Sequence, residues 1–462
     1  MRVVLADLKG REGFVSKDTV SGGYGSRFKP FSKTTVWIHR FKRQSHDTPS
    51  VHLAYIAAMF AQRGHEVVFT ADKPVEADLA IVLSSLVDYR HETEWADAVR
   101  ARGVRVGFVG LAASKMPQLF ADHADFIVNG EPEEAIDRLA RGEHLSGLCA
   151  SEPIMDLDSL PFPRWDLITK RRPMGIQLTP RPVGGAFPLL ASRGCPEFCT
   201  YCPHRILAGY RTRSVRNVVD EIEQMCRRAR RPYVIFRDPL FSESRERIVE
   251  LCEQIHARHL RIDFECETRL DRLDGDLLRM MQGAGLRAIS FGVEAVSPET
   301  LKTVGRRPIP LDHQRQVIER CRDLGIITAA FFVLGFPSDD WDSIAATIDF
   351  ATDLSPTLAQ FKLLTPYPAT PLWKQMEPLV FEKDWEKFDG FTPTFTHPNL
   401  SSKELMFLLG AAYTHFYMRP SYLANMLRLR NSHVREWVGR LDRRVSARIN
   451  RRETELMRPV TC

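Results

Sequence analysis

The sequence predicts an α/β protein: a doubly wound, Rossmann-like sheet, then a partial (β/α)6 barrel of the TIM type, then a helical tail. Three observations carry this expectation. Short β-type apolar runs alternate with helix-like segments through the first 145 residues, the same alternation resumes after residue 187, and a proline-rich stretch without periodicity separates the two. The expected divisions are 1–145, 146–186, 187–375 and 376–462.

The chain has 462 residues, 44% of them hydrophobic, which at roughly 150 residues per domain suggests about three units with real cores. A disordered or fibrous protein is excluded. Net charge is +6, but residues 401–462 alone carry 12 basic and 5 acidic side chains. The rest of the molecule therefore has no overall field to hold a polyanion, and nucleic acid is not an expected partner. No apolar run approaches the roughly 18 residues of a membrane-spanning helix, and the first residues pass quickly into charges, so a cytoplasmic protein is expected. Nine cysteines are too few and too scattered for a secreted disulfide framework.

In the first unit, β-type runs lie at Val3 to Leu5, Glu66 to Thr70, Leu79 to Ser84, Val104 to Val109 and Phe126 to Val128. Helices are expected from about Ser50 to Arg63, His91 to Arg102 and Glu131 to Arg141, each followed by a glycine where a C-terminal cap belongs. Ligands of such a sheet sit outside the carboxyl ends of its strands, which points to Ser84, Ser85, Gly110 and the Gly130-Glu131 turn. Between about Lys9 and Thr48 no regular element is evident. A connection that long is usually functional or disordered, and its glycine-rich centre, Ser21 to Ser26, reads as a lid or binding loop. It lacks the Gly-Lys-Ser/Thr of a phosphate loop. Residues 146–186, with Pro153, Pro161, Pro163, Pro173, Pro180 and Pro182, read as a linker.

The chemistry concentrates at Cys195, Cys199 and Cys202, a C-x3-C-x2-C triplet on the loop that follows the apolar run Phe187 to Ala191. A structural zinc site takes four ligands, usually as two C-x2-C pairs, and a bacterial ferredoxin run has different spacing. An iron–sulfur cube held by three thiolates leaves one iron open to a substrate or cofactor. The other six cysteines are isolated and read as small buried or incidental thiols.

Downstream, β-type runs recur at Tyr233 to Arg237, Ile262 to Cys266, Ala288 to Gly292, Ala329 to Leu334 and Gln360 to Leu364. Polar or glycine residues stand at the strand ends, where barrel enzymes place their sites: Asp238, Glu267 with Arg269, Glu294, Gly335-Phe336-Pro337, and Thr365.

These features together resemble the radical S-adenosylmethionine (SAM) superfamily, whose C-x3-C-x-aromatic-C loop matches Cys195, Cys199, Tyr201 and Cys202. Its layout is also matched at Phe236 to Phe241, Cys266 to Asp271, Phe291 to Ser297 and Leu334 to Asp339. The resemblance implies a [4Fe-4S] cluster on the three cysteines, with SAM on the open iron. One electron from an external reductant then cleaves SAM to a 5′-deoxyadenosyl radical. A sulfonium bearing a zwitterionic amino acid needs a carboxylate, a guanidinium and close backbone approach. Glu294, Arg269 and the Gly335-Phe336-Pro337 turn supply these, with Tyr201, Asp238 and Glu267 nearby in the motifs. The family often has Gly-Glu-Thr where this chain has Ser338-Asp339-Asp340.

The resemblance extends to the branch with an N-terminal cobalamin-binding-like domain, the group of the BchE cyclases and of hopanoid and antibiotic C-methylases. It rests on Gly107 to Gly110, Ala124 to Glu133 and Leu160 to Trp165. The implied activity is cobalamin-dependent methylation, or a related radical modification, of a small or lipid-like metabolite. The corrinoid would sit near Ser84, Ser85, Gly110 and Gly130, although the Asp-x-His-x-x-Gly segment that supplies a cobalt ligand elsewhere is missing. Two alternatives are a radical SAM oxidoreductase or cyclase without cobalamin and an RNA methylthiotransferase. The latter would carry three further N-terminal cysteines, whereas the first cysteine here is Cys149.

In the tail, Val434, Trp437, Val438, Leu441, Val445 and Ile449 follow helical spacing, and arginines crowd the remaining surface. Such a basic amphipathic helix packs its stripe on the barrel or makes peripheral contact with an anionic membrane.

Overall fold

Alternation within the first strands divides the N-terminal residues between two cores, which is what a sheet covered on both faces requires. Val3, Leu5, Ile81 and Leu83 enter one core, with the helices Val51–Gln62 and Glu133–Ala140. Val4, Ala6, Ala80 and Val82 enter the other, with the helices Tyr89–Arg100 and Leu111–Lys115. The computed structural model describes residues 1–10, 12–17, 23–36, 38, 50–168 and 185–423.

The strands are β1 (Arg2–Ala6), β2 (Phe14–Ser16), β3 (Ser26–Phe28), β4 (Glu66–Thr70), β5 (Leu79–Leu83), β6 (Arg105–Val109), β7 (Phe126–Gly130) and β8 (Gly147–Ser151). All but β2 and β3 form one parallel sheet in the order β4-β1-β5-β6-β7-β8. This is the predicted doubly wound unit, with the strand order reversing between β1 and β5.

Two expectations are corrected. The stretch 9–48 contains regular structure: β2 and β3 form an antiparallel hairpin, Phe14 opposite Phe28. Its three-residue strands are too short to show periodicity, and tertiary contacts hold it. Tyr24 stacks on Tyr367 with centroids 5.5 Å apart, and its hydroxyl donates to the Pro368 carbonyl at 2.7 Å. The expected linker, in turn, begins with β8, which pairs with β7 from Phe126↔Gly147 to Gly130↔Ser151. It is a largely exposed edge strand of small residues, so no apolar run announced it.

The second sheet comprises β9 (Ala186–Leu189), β12 (Tyr233–Phe236), β13 (Asp263–Thr268), β14 (Leu286–Glu294), β15 (Ile327–Leu334) and β16 (Leu358–Leu363). All neighbours are parallel and follow chain order, the six-stranded partial barrel expected. Between β9 and β12 lies a small antiparallel pair, β10 (Ser192–Arg193) and β11 (Arg211–Thr212). After β16 the chain runs mainly without regular structure until the helix Ser402–Tyr417, where a helical region was expected from residue 376.

The described residues up to 413 form one compact unit, and 414–423 belong to a second. Both N-terminal cores take in residues from the barrel half, Leu190 in one and Tyr367 with Phe388 in the other. Among the described residues no helix is long and apolar enough to cross a membrane. The basic tail helix expected at 434–452 lies outside the described residues.

Candidate active site

The cysteine triplet sits in a loop closed by β10 and β11, whose pairing sets Arg193 opposite Arg211. The Thr200 N–H donates to the Val304 carbonyl at 2.9 Å, and the Thr200 carbonyl accepts from Leu372 at 3.0 Å. Gly305 makes this seating possible: a Cβ there would lie 2.5 Å from the Phe198 carbonyl oxygen. Asp238, at the end of β12, accepts from Ala191 N at 3.1 Å and from Ser192 Oγ at 2.5 Å. Burial pushes its carboxyl up to about 6. Asp238, expected beside SAM, positions the base of the cysteine loop through these two bonds.

Burial, reinforced by the neighbouring cysteines, holds the Cys195 and Cys202 thiols above their usual range. A bound cation is what would deprotonate such thiols. Among the described residues no three His, Cys, Asp or Glu side chains gather about a point that a single ion could occupy. Three thiolates on one loop suit a multi-iron cluster, in which each thiolate binds a different iron.

Above the loop stand the carboxyl ends of the barrel strands. Glu294 closes β14 in the left-handed region, φ 69°, at a register shift between Gly292 and Glu294. Bulges of this kind re-aim side chains beside active sites. The carboxylate folds back over Gly292, in space that any Cβ at 292 would fill. Arg306 lies 3.4 Å from it and reaches Cys199 Sγ at 3.8 Å. Tyr201 is half-buried beside the same carboxylate, its ring edge-on to Phe336 at 5.9 Å. The Gly335-Phe336-Pro337 turn is held by Asp339, which accepts from Gly335 N at 3.0 Å and Phe336 N at 2.9 Å. Asp340 caps the helix Trp341–Leu354, so both acids of the divergent motif have structural duties.

Arg269 is buried and pairs with Asp271 at 3.0 Å, donates to the Arg307 carbonyl at 2.9 Å and lies 3.8 Å from Glu197. Glu267 and Glu294 are both raised by burial. Lys362 on β16 interacts with both of them and with Asp389. Thr365 is buried, its hydroxyl donating to the Leu363 carbonyl at 3.3 Å.

A partly open cleft joins the carboxyl ends of the N-terminal sheet to the flank of the cysteine loop. Leu83, Gly110, Leu111 and Glu131 face Ser192, Arg193, Gly194 and His204 across it, and Lys17 and Gly23 of the β2–β3 segment line it too. Of the four predicted cofactor residues here, Gly110 lines the cleft, and Gly130 precedes Glu131, which does. Ser84 and Ser85 turn inward. Ser84 Oγ donates to the Val109 carbonyl at 2.9 Å, and Ser85 Oγ donates to Glu92 at 2.5 Å.

Sequence reasoning missed Arg306 and Lys362. An arginine pair directly after a helix-ending glycine signalled the first, and a lysine inside an apolar strand the second. It also missed a bridge between the two halves: Glu133 holds Arg193 at 2.7 Å, and Glu131 holds Arg211 at 2.5 Å. The resemblance noted Glu131 and Glu133; the structure shows them gripping both strands that close the cysteine loop.

Residues 189–351 match the family model described as the radical SAM superfamily. An uncharacterised methyltransferase of Pyrococcus horikoshii is 27% identical over 327 residues, 65% of this chain and 68% of its own length. The anaerobic magnesium-protoporphyrin IX monomethyl ester cyclase of Rubrivivax gelatinosus is 28% identical over 361 residues, 76% of this chain and 63% of its own. The structure of OxsB, a cobalamin-dependent S-adenosylmethionine radical enzyme with aqua-cobalamin and S-adenosylmethionine bound, superposes with TM-score 0.62. It covers 94% of this chain and 71% of its own at 14% identity, a likeness of fold.

Proposed function

We propose that this chain, whose residues 189–351 match the radical SAM superfamily model, is a cobalamin-dependent C-methyltransferase acting on a small or lipid-like metabolite. The observation that carries this reading is one shared cleft. It opens on the ligand-binding ends of the N-terminal sheet and on the flank of the cysteine loop at once. A corrinoid seated there would lie within reach of whatever the loop generates.

When bound, the cluster and SAM supply a carbon-centred radical and cobalamin supplies a methyl group. The protein's part is placement. Cys195, Cys199 and Cys202 would hold the cluster. Glu294 suits the SAM ammonium and Arg269 its carboxylate, with Tyr201 and Glu267 beside them and the Gly335-Phe336-Pro337 turn giving backbone approach. Gly110, Leu111 and the Gly130-Glu131 turn would receive the corrinoid. Leu83, Val109, Leu111, Leu190 and Leu207 line the cleft and exclude water, which matters because a radical meets its C–H bond by orientation and not by charge.

The test is anaerobic incubation of the reconstituted protein with SAM, reductant and methylcobalamin. 5′-Deoxyadenosine together with corrinoid absorption that stays with the protein on gel filtration is expected. Deoxyadenosine without retained corrinoid would replace this reading by a cobalamin-independent oxidoreductase or cyclase.

A further inference from the structure

We propose that the substrate carries an oxyanion, a carboxylate or a phosphate ester on an apolar body, and that Arg237 is the residue that receives it. Under the methyltransferase reading, on which this rests, the oxyanion anchors the molecule whose C–H bond is attacked.

Among the described residues, the carboxylates, lysines and arginines that line the shared cleft are Lys17, Glu131, Arg193 and Arg237. The fold itself neutralises the first three. Lys17 lies 2.7 Å from Glu92, Arg193 2.7 Å from Glu133, and Glu131 2.5 Å from Arg211. Arg237 is half-buried on the barrel side of the cleft, directly after β12, where its N–H donates to the Leu189 carbonyl at 2.8 Å. Its charge also meets Glu267 within the barrel, a carboxyl that burial raises and so keeps from claiming the guanidinium in full. Much of the remaining lining is apolar, with Leu83, Val109, Leu111, Leu190, Leu207 and Pro239. Pockets of this composition hold an apolar body and orient it by a few placed polar groups. A guanidinium presents a planar fork matched to two oxygens of a carboxylate or phosphate, and an apolar lining strengthens that attraction. A cationic substrate would be repelled, and a neutral one would shut the charge away from water with less to offset it. Anchoring one end also serves the chemistry. Arg237 belongs to the wall between the cleft and the barrel, so a head group held there sets the rest of the molecule beside both. A fixed pose presents the same C–H bond at every turnover.

The experiment uses the full chain, with the fluorescent apolar anion anilinonaphthalene sulfonate as the probe. Octanoate, octyl phosphate, octanol and octylamine, which share one apolar body, are titrated as competitors against wild type, Arg237→Gln and Arg237→Lys. In wild type, octanoate or octyl phosphate should displace the probe at about tenfold lower concentration than octanol or octylamine, and the better anion identifies the head group. Arg237→Gln should reduce that advantage to within about twofold, and Arg237→Lys, which keeps the charge without the fork, should lower it by about threefold. Circular dichroism checks the folding of each variant, and where the glutamine variant fails to fold the lysine variant decides. An advantage equal in all the folded proteins overturns the proposal, as does equal displacement by octanol and the anions, or no probe binding, in wild type. Retention of hydroxocobalamin on gel filtration is scored separately. Its failure strikes the methyltransferase reading, while the competitor series, which needs neither corrinoid nor cluster, still decides the role of Arg237.

Discussion

Arg306 bridges Cys199 and Glu294: its guanidinium lies 3.8 Å from the sulfur and 3.4 Å from the carboxylate. One cation thus touches both a proposed cluster ligand and the acid proposed for SAM. Charge and hydrogen bonds at cluster sulfurs set reduction potential, and a neighbouring cation favours the reduced, more negative form. Arg306→Gln should therefore lower the cluster midpoint potential by roughly 60 mV, the one-electron equivalent of a tenfold change in an equilibrium constant. Potentiometric titration followed by electron paramagnetic resonance checks this. An unchanged potential would reduce Arg306 to a packing role.

Cluster assembly should require Cys195, Cys199 and Cys202 and none of Cys149, Cys226, Cys252, Cys266 and Cys321, which are scattered through the fold. Iron measured after reconstitution of single alanine variants decides the matter. Full cluster retention in Cys199→Ala would sink the assignment.

Burial pushes Lys362 down to about 8 from its ordinary 10.5, against the pull of Asp389, Glu267 and Glu294. The unfolded chain therefore binds the extra proton between those two values, and stability contributed at this site rises with pH across that window. Below it both states are protonated and the cost of the buried charge is present in full. Lys362→Met should accordingly stabilise the apoprotein near pH 7, by about 1.4 kcal/mol for each unit of displacement, and the gain should shrink by pH 10. Urea midpoints at three pH values provide the measurement; a gain independent of pH contradicts the argument.

Glu133 and Arg193 have side chains 0% and 5% exposed. Removing one partner of such a pair leaves an uncompensated buried charge and costs about 3–5 kcal/mol. Glu133→Ala should show that loss in chemical denaturation, with reduced iron uptake because Arg193 begins the cysteine loop. Glu133→Ala/Arg193→Met should recover much of the stability. Failure of the double variant to recover would show that the pair's neighbours, and not its charge balance, carry the effect.

Periodicity and spacing made both sheets and the cysteine loop legible before any coordinates, because buried parallel strands are apolar runs and the triplet is local. Glu294 was legible as a strand-end acid, but its left-handed backbone and its return over Gly292 arise from a β-bulge that no local pattern encodes. Arg306 and Lys362 were hidden for a different reason. Each matters through residues distant in sequence, Cys199 for one and Asp389 for the other. Ser84 and Ser85 were placed correctly at a strand end, yet their hydroxyls face the Val109 carbonyl and Glu92. Position along a strand says where the chain ends and not which way a short polar side chain turns.

Tyr24 donates to Pro368, 344 positions later, and this separation bears on how the molecule is made. At roughly 5–20 residues per second of synthesis, the β2–β3 hairpin waits roughly 17–70 s for the segment that buries it. During that interval Tyr24 and Phe28, both fully buried at the end, lack the ring partners Tyr367 and Phe391. The N-terminal sheet can form from its own strands as it emerges, but this hairpin cannot settle until the barrel's last strand has been translated. Residues 14–28 are therefore made early and are among the last to find their place.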